Sequence, residues 1–353
     1  MQKRSTFHGV AQEIRQNVQS GLWPPGKRIP TKSQLCTMFA ASNMTVQKAL
    51  TLLWSQGFTE AHGRNGTFIT KRPPCRYRIA LVFSVPTSNN QHAKALLTAA
   101  AKIKERDGYQ FDLFESCYAW SPDATSGNMR RLEKEAAERR LAGAIFFGGE
   151  APYAVSKLLH SHTLTTIFAA MYDTQYKYSG PAIPYENPMP ALWDHIRASG
   201  RKKLAVFAID AAMDWQTPAL WQQAATAGIT MREEWIHFFN PLKPRSVRNV
   251  TMLMASLPPE LRPDSLYISD DHLVPETINA LASCNLNIPQ DLTVYAHTNF
   301  PLRHKDKVPL HSVGFNAATT LQRTIDTIRS PINNTYSLLP LVPFQIKKQY
   351  HDY

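Results

Sequence analysis

Cysteine is scarce in this 353-residue sequence, which has four cysteines that lie far apart, none of them in a C-x-x-C spacing. This pattern argues against a disulfide framework and against a zinc site. The sequence also lacks an apolar run of about 18 residues and a charged-then-apolar leader. We therefore expect a protein of the cytoplasm with no membrane partner, no metal and no cofactor.

Signatures of catalysis are missing as well. There is no G-x-S-x-G, H-E-x-x-H, G-x-x-x-x-G-K-[ST] or G-x-G-x-x-G segment. Asp270, Asp271 and His272 are metal-donor types, but adjacent residues at a strand-to-helix turn point in different directions and do not predict a metal site. The sequence favours a protein that is not an enzyme.

Acidic side chains are rare in the N-terminal part. Residues 1–76 contain eleven lysines and arginines but only Glu13 and Glu60, a net charge of +9. The other 277 residues carry 28 basic and 25 acidic groups, a net charge of +3. A basic excess confined to one small region is typical of a domain that neutralises DNA phosphates, whereas a merely solubilising surface mixes both signs.

The segment from Ser42 to Gly57 predicts an amphipathic helix, because Ser42 can cap its first turn and Gly57 permits a left-handed exit. Its apolar residues recur at i, i+3, i+4 and i+7: Val46, Ala49, Leu50 and Leu53. Ordinary surface helices share this pattern, so the neighbouring segments decide its role.

Those neighbours complete a winged helix-turn-helix domain over residues 1–72. Thr31 and Gln34 are spaced as a capping box for a helix that ends near Phe39. The buried stripe expected for that helix is Leu35, Met38 and Phe39. The other predicted elements are a first helix over 7–20 and a hairpin of residues 58–61 and 67–70 around the turn 62–66.

The residues of this region follow a recognisable order: Ile14, Gly21, Trp23-Pro24-Pro25-Gly26, Arg28-Ile29-Pro30, Leu35, Phe39, Ser42, Thr45-Val46, Ala49-Leu50, Leu53, Gly57 and Gly66-Thr67-Phe68-Ile69. Through this set the sequence resembles the DNA-binding domain of the GntR family of bacterial transcription regulators. The resemblance implies double-stranded operator DNA as a partner.

DNA contacts are expected from the first turn of the third helix, which would enter the major groove, and from basic residues around it. The candidates are Arg28, Lys32, Ser42, Asn43, Met44, Thr45, Gln47, Lys48, His62 and Arg64. The wing tip with His62 and Arg64 could equally be a solvated turn. Arginines common in the family are absent at Ser33, Asn43 and Gln47, and asparagine and glutamine pair with adenine, which suggests an operator less dependent on guanine.

Residues 73–76 form a linker that Pro73 and Pro74 are expected to keep stiff and non-helical. From Tyr77 onward apolar strands alternate with helices, which predicts an α/β domain over 77–353 with doubly wound parallel sheets. A chain reversal near Ile183 divides this domain into two lobes.

Residues 262–271, 280–281 and 286–294 carry a second resemblance, with weaker support from 309–313 and 343–347. They resemble the effector domain of the LacI family, which is similar to periplasmic sugar-binding proteins. The resemblance implies one lobe of residues 77–183 and 310–332 and another of 184–309 and 333–353. The chain would cross between them near Ile183, Pro309 and Asn333 and leave a hinged, periplasmic-binding-protein-like cleft.

Ligands of such domains lie at the C-terminal ends of the strands. The effector-binding candidates are Asn89, Asn90, Phe147, Trp215, Gln216, Asp271 and Asn299. Asp271 matches the family aspartate that accepts a hydrogen bond from a sugar hydroxyl, although it could instead cap the helix that follows it. Gln216 stands where the family often has arginine, and His297-Thr298-Asn299 replaces its usual aromatic-and-aspartate run.

These features predict a transcription repressor that binds a pseudopalindromic operator as a homodimer and responds to a sugar-like effector. The helix from His92 to Arg106 is a candidate dimer face. Two alternatives stay open: a DNA-binding protein whose second domain only dimerises, and a sugar-processing enzyme fused to a DNA-binding module.

Overall fold

The structure is a computed structural model that describes residues 6–88, 90–119, 121, 124–147, 151–153, 156–159, 164–170, 181–209, 218–240, 243–304, 308–329 and 342–349. The chain forms two compact units. Unit 1 comprises Met1–Asn89, Leu97–Ile183 and Leu321–Leu339, and unit 2 comprises Asn90–Leu96, Pro184–Thr320 and Pro340–Tyr353.

Unit 1 begins with a winged helix, as predicted. Its helices are α1 (Phe7–Ser20), α2 (Lys32–Met38) and α3 (Asn43–Ser55), and an antiparallel hairpin follows, β1 (Thr59–Ala61) and β2 (Thr67–Ile69). The capping box of Thr31 and Gln34 is formed. Gly21 ends α1 at φ 88°, in the left-handed region that favours a residue without Cβ.

The winged helix buries a core of its own. The fully buried side chains are Val10, Ala11, Ile14, Val18, Leu35, Val46, Ala49, Leu53, Phe58 and Ile69. The predicted burial of Met38 is wrong, because Met38 is 55% exposed. Met38 is the last residue of a seven-residue helix, and Leu35 with the half-buried Phe39 already fills the contact between that helix and the core.

The segment between the winged helix and the first sheet is helical, which contradicts the predicted non-helical linker. Pro74–Tyr77 forms a single turn, α4. Pro74 stands at its start, where the missing N–H of proline is not needed. Cys75 in this turn is 5% exposed and packs in the core of the winged helix, so the linker is attached to that domain.

Unit 1 continues with a five-stranded sheet in the order β4-β3-β5-β6-β7. Its strands are β3 (Arg78–Phe83), β4 (Gln110–Phe114), β5 (Gly143–Phe147), β6 (Thr165–Ala170) and β7 (Ala182–Pro184). Helices α5 (Gln91–Asp107) and α6 (Gly127–Ala137) lie between the first three strands in the sequence, and the start of α5, up to Leu96, belongs to unit 2. The pairs β3–β4, β3–β5 and β5–β6 are parallel. The strands β6 and β7 were not expected, because short buried apolar runs lack a periodicity that separates strand from helix.

Unit 2 contains a six-stranded sheet in the order β13-β12-β11-β10-β8-β9. The strands are β8 (Lys203–Ile209), β9 (Thr230–Phe239), β10 (Ser265–Ile268), β11 (Thr293–Phe300), β12 (Leu310–Asn316) and β13 (Gln345–Gln349). The helices are α7 (Met189–Ala198), α8 (Pro218–Thr226), α9 (Pro244–Ser256), α10 (Val274–Ala282) and α11 (Ala317–Arg329). Only β13 is antiparallel to its neighbour. Within the described ranges no helix is long and apolar enough to cross a bilayer.

The predicted chain crossing near Pro309 is wrong. Strand β12 pairs in parallel with β11, from Tyr295 opposite His311 to Phe300 opposite Asn316. Residues 310–320 therefore belong to unit 2, and the chain passes to unit 1 within α11. Local sequence predicts that a strand forms but does not identify its partner. The crossing predicted near Asn333 lies outside the described residues.

Candidate DNA-binding surface and effector site

The first turn of α3 is open to solvent. The predicted base-contacting side chains Asn43, Met44, Gln47 and Lys48 are all exposed. The apolar face of the same helix is packed in the winged-helix core. The structure therefore brings these four side chains together on the outer surface of the helix.

Ser42 and Thr45 serve the helix itself. Ser42 Oγ accepts a hydrogen bond from the Thr45 amide at 3.1 Å and lies 2.9 Å from Thr45 Oγ1. A cap of this kind contributes about 1 kcal/mol to helix stability. Contact of these two residues with DNA stays a prediction.

Arg28 is held at the base of the wing. Its backbone bridges to Phe68, and its guanidinium lies against Gly66, where a Cβ would come within 2.9 Å of Arg28 Nε. Lys32, at the start of α2, is exposed. Both cations are accessible, as their predicted phosphate contacts require.

His62 and Arg64 are exposed in the wing turn, but they differ in their contacts. His62 Nε2 lies 3.1 Å from Glu60 Oε1, and the imidazole packs against the Phe68 ring with 4.8 Å between centroids. His62 is therefore engaged within the hairpin, which favours Arg64 as the residue that extends from the wing.

Asp271 and Asn299 meet in unit 2, beyond the C-terminal end of β10 and near that of β11. Asn299 Nδ2 donates a hydrogen bond to Asp271 Oδ2 at 2.7 Å, and Asp271 is only 8% exposed. Burial raises the pKa of Asp271, but hydrogen bonds from His272 and Asn299 and the charge of His297 outweigh it, so the pKa lies below its usual value. Asp271 is thus an ionised acceptor. It does not cap α10, whose N-cap residue is Leu273.

Histidines surround this carboxylate. His297 on β11 is 5% exposed, and its Nδ1 has no hydrogen-bond partner among the residues described. Burial lowers the pKa of His92, at the start of α5, to about 4. The charge of His297 also lowers this pKa, and the charge of Asp271 opposes the shift. His304 Nε2 lies 2.8 Å from the His297 carbonyl oxygen. The sequence offered one signal for this group, the departure from the LacI pattern at residues 297–299.

Three potential metal ligands also meet here, Asp270, Asp271 and His272, with donor atoms within 4.8 Å of one another. His272 Nδ1 lies 2.8 Å from Asp270 Oδ1 and 3.2 Å from Asp271 Oδ1. Hydrogen bonds to Asp270 and then Asp271 raise the pKa of His272 to about 10. At neutral pH a proton on His272 therefore balances one of the two carboxylate charges.

The remaining predicted effector residues either make local contacts of their own or lie outside the described residues. Asn90 Oδ1 accepts a hydrogen bond from the Ala93 amide at 3.0 Å and so fixes the start of α5. Phe147 ends β5 as predicted but is 5% exposed and stacks on Phe83 with 4.6 Å between centroids. The other three, Asn89, Trp215 and Gln216, lie outside the described residues.

Comparison with known proteins agrees with the N-terminal architecture. Residues 6–69 match the family described as bacterial regulatory proteins, gntR family. Over 62 residues the chain is 39% identical to the histidine utilization repressor of Pseudomonas aeruginosa. The matched segment makes up 18% of this chain and 25% of that protein. This chain therefore spans only about a quarter of that relative. A longer match, 21% identical over 356 residues, joins 90% of this chain to 92% of the arabinose metabolism transcriptional repressor of Geobacillus stearothermophilus.

Solved structures share the fold of the second part. The probable maltose operon transcriptional repressor of Staphylococcus aureus superposes with a TM-score of 0.57 at 14% identity, over 77% of this chain and 96% of that one. A LacI family regulator of Lactobacillus casei with bound sucrose superposes with a TM-score of 0.52 at 17% identity. That superposition covers 76% of this chain and 98% of the regulator. The chain thus joins a winged-helix DNA-binding domain to a periplasmic-binding-protein-like α/β domain. The first is a helix-turn-helix domain of the GntR type, and the second has the fold of LacI-type effector domains.

Proposed function

We propose that this protein is a transcription repressor that reads operator DNA with the first turn of α3 and is controlled by a small ligand bound in unit 2. The observation that carries the DNA-binding part is the exposed row of Asn43, Gln47 and Lys48 on the domain that holds most of the net charge. Exposed amide and ammonium groups at the start of a helix can reach base edges, and the surrounding cations neutralise phosphates. Such a protein acts in the cytoplasm, where the DNA is.

The relatives support regulation rather than catalysis. The proteins matched over the N-terminal region and over most of the chain are named as transcription regulators. We therefore infer that the second domain senses a ligand and does not transform it. Turnover of a bound ligand by the purified protein would contradict this inference.

The DNA-binding part is tested with an operator selected from a random oligonucleotide library by the full chain. Gln47→Ala and Lys48→Ala should each weaken operator binding about 5- to 150-fold, since a lost base contact costs about 1–3 kcal/mol. Fluorescence anisotropy gives the Kd values. Gln16→Ala and Lys202→Ala are matched controls, because both side chains are exposed and neither belongs to α3. Unchanged Kd for both α3 variants would refute the assignment of the recognition surface.

The ligand-binding part rests on Asp271 and His297. An ionised, buried carboxylate oriented by Asn299 can accept a hydrogen bond from a ligand hydroxyl. His297 Nδ1 is a second buried polar atom that needs a partner. Two such groups close together favour a ligand with neighbouring hydroxyls, and a similar fold binds sucrose. We propose a sugar or sugar derivative.

A thermal-shift panel of monosaccharides, disaccharides, sugar acids and nucleosides tests this part. A ligand present at about 100 times its Kd stabilises the folded state by about 2.7 kcal/mol, which raises Tm by several degrees. Asp271→Asn, which keeps the shape of the side chain but removes its charge, should abolish that rise. If no compound shifts the wild-type Tm, the proposal of a domain that only dimerises is favoured instead.

We also propose that two copies act together, because a pseudopalindromic operator needs a symmetric protein. The exposed side of α5, with Leu97 37% exposed, is the proposed dimer face. Sedimentation analysis of the full chain and of Leu97→Glu tests this, since a charge in a symmetric apolar contact is repeated twice and should dissociate the dimer.

A further inference from the structure

One face of α1 carries polar contacts to the end of α6, within unit 1. Gln12 Nε2 donates a hydrogen bond to the Ala137 carbonyl oxygen at 3.0 Å. Seven residues further along α1, Gln19 Oε1 accepts a hydrogen bond from Arg139 Nη1. Residues seven apart lie on the same face of a helix. The carbonyl of Ala137 belongs to the last turn of α6, where backbone acceptors lack partners inside the helix.

Arg15 lies on the same face and connects it to α3. Its side chain is 2% exposed, and it donates hydrogen bonds to Gln12 Oε1 at 3.2 Å and to Gln56 Oε1 at 2.5 Å. Gln56 is the C-cap residue of α3. Burial lowers the pKa of Arg15, and the charge of Glu138, just past the end of α6, opposes that effect. Arg15 thus ties the end of the recognition helix to the contact with α6.

From Glu138 a chain of ion pairs runs into the five-stranded sheet. Arg140 Nε lies 2.9 Å from Glu138 Oε2, and Arg140 Nη2 lies 2.9 Å from Glu135 Oε1. Glu135 Oε2 accepts a hydrogen bond from Arg78 Nη1 at 2.7 Å, and Arg78 also pairs with Asp112 on β4. Ion pairs therefore extend from β4 through α6 to Glu138, and the hydrogen bonds of Gln12 and Arg15 continue from the end of α6 to α3.

The linker strengthens the attachment. Cys75 of α4 is buried in the winged-helix core. The guanidinium of Arg72 lies directly on the backbone after α5, because a Cβ at Gly108 would come within 2.0 Å of Arg72 Cζ. The winged helix therefore contacts the rest of unit 1 at several points, at the end of α6 and after α5, and is not joined to it by the linker alone.

The contact is incompletely satisfied. The Nε atoms of Arg15 and Arg139 are buried without a hydrogen-bond partner among the described residues. Arg139 also adopts a left-handed backbone at φ 54°, which is unfavourable for a residue other than glycine. Buried polar groups that lack partners lower the stability of a contact. Such a contact is suited to opening and closing rather than to permanent attachment.

Gln12, Arg15 and Gln19 form a joint with residues 137–140. We propose that through this joint the ligand-binding state of the second domain changes the position of the recognition helix α3. The proposal rests on the proposed function, because it assigns the route of regulation to that regulator. In the closed joint the end of α3 is fixed relative to the first sheet. Opening it frees the winged helix to change its orientation and therefore its operator affinity.

Limited trypsin digestion of the full chain tests whether the joint exists, with no need for DNA or a ligand. The variant Gln12→Ala/Arg139→Ala should be cut after Lys71 or Arg76 at least tenfold faster than wild type, because the linker opens with the joint. The control Gln16→Ala/Arg130→Ala changes exposed residues of α1 and α6 that take no part in the joint and should be cut at the wild-type rate. Equal rates for the two double variants would overturn the joint.

A double-mutant cycle tests whether the joint transmits a change. Glu135→Gln weakens the ion-pair chain on the sheet side and should change the operator Kd about fivefold in the wild-type background. It should leave the Kd unchanged in the Gln12→Ala/Arg139→Ala background, since coupled sites are non-additive. The same change of the operator Kd in both backgrounds would contradict the proposal that the joint transmits a change from the sheet to α3. Failure of the wild type to bind any selected operator would refute the proposed function itself, while the digestion result would stand alone.

Discussion

Single residues in unit 2 show how strongly their surroundings set their chemistry. Burial lowers the pKa of His311 to about 4, with a further contribution from the charges of His195 and Lys348. His92 reaches about the same value through burial. In contrast, two carboxylates raise the pKa of His272 to about 10. Histidines with one intrinsic pKa near 6.5 therefore have pKa values that are shifted in opposite directions.

We predict that stability falls on both sides of about pH 6.5. Below pH 6.5 His92 and His311 bind protons in the unfolded chain but stay neutral in the folded protein. The free energy of unfolding therefore decreases as the pH falls to about 4. Above pH 6.5 the stability that protonated His272 contributes is lost progressively, up to pH 10. The midpoints of urea denaturation, measured between pH 4 and 10, give the acidic and the alkaline limb of this stability profile.

His311→Gln should flatten the acidic limb and His272→Gln the alkaline limb. The control is His8→Gln, at an exposed position on α1. An acidic limb of His311→Gln as steep as that of the wild type would show that His311 does not cause the loss.

Residue roles could be predicted only where a resemblance or an exposed pattern carried them. Asp271 was expected from the LacI resemblance, and its pairing with Asn299 is observed. The grouping of His92 and His297 around it could not be predicted, because these residues are about 200 positions apart and only the fold brings them together. The side chains on α3 were predictable because helix periodicity alone separates the outer face from the core.

The pairing of β11 with β12 is the element-scale feature that best explains unit 2. These strands approach so closely at Gly314 that an added Cβ would lie 2.1 Å from the Thr298 carbonyl oxygen. The pairing assigns residues 310–316 to unit 2, whereas the LacI resemblance implied that they belong to the other lobe. In comparison, α1 has the predicted bounds of 7–20, since an amphipathic pattern is a local property.

We predict that Gly314→Ala lowers the free energy of unfolding by about 3 kcal/mol or more, because backbone atoms of β11 would have to move to accept the methyl group. Gly127→Ala, at the start of α6, is the matched control. No atom lies within 4 Å of its added Cβ, and alanine is a better helix former than glycine by about 1 kcal/mol. Urea denaturation gives both values, and a Gly314→Ala variant as stable as Gly127→Ala would contradict the strand contact.

Across the whole molecule, charge is divided between a basic DNA-binding domain and a nearly neutral second domain. The exposed cations of the winged helix that surround α3 and the wing include Lys27, Arg28, Lys32, Lys48 and Arg64. If each of these five replaces a counterion on the DNA, the operator association constant falls with salt with a log–log slope of about −4.5. Anisotropy titrations between 50 and 300 mM salt measure the slope.

Lys32→Ala should make the slope shallower by about 1, while Lys202→Ala in unit 2 should leave it as in the wild type. A flat salt dependence would contradict the phosphate contacts proposed for the winged helix.

We propose that a ligand held by Asp271 controls operator binding. The most direct measurement is the operator Kd of the full chain with and without each compound of the sugar panel, for the wild type and for Asp271→Asn. We predict that at least one compound changes the wild-type Kd fivefold or more, a usual size for coupling between sites, and leaves the Kd of Asp271→Asn unchanged. An operator Kd that no compound alters, or one that changes equally in both proteins, would contradict the claim.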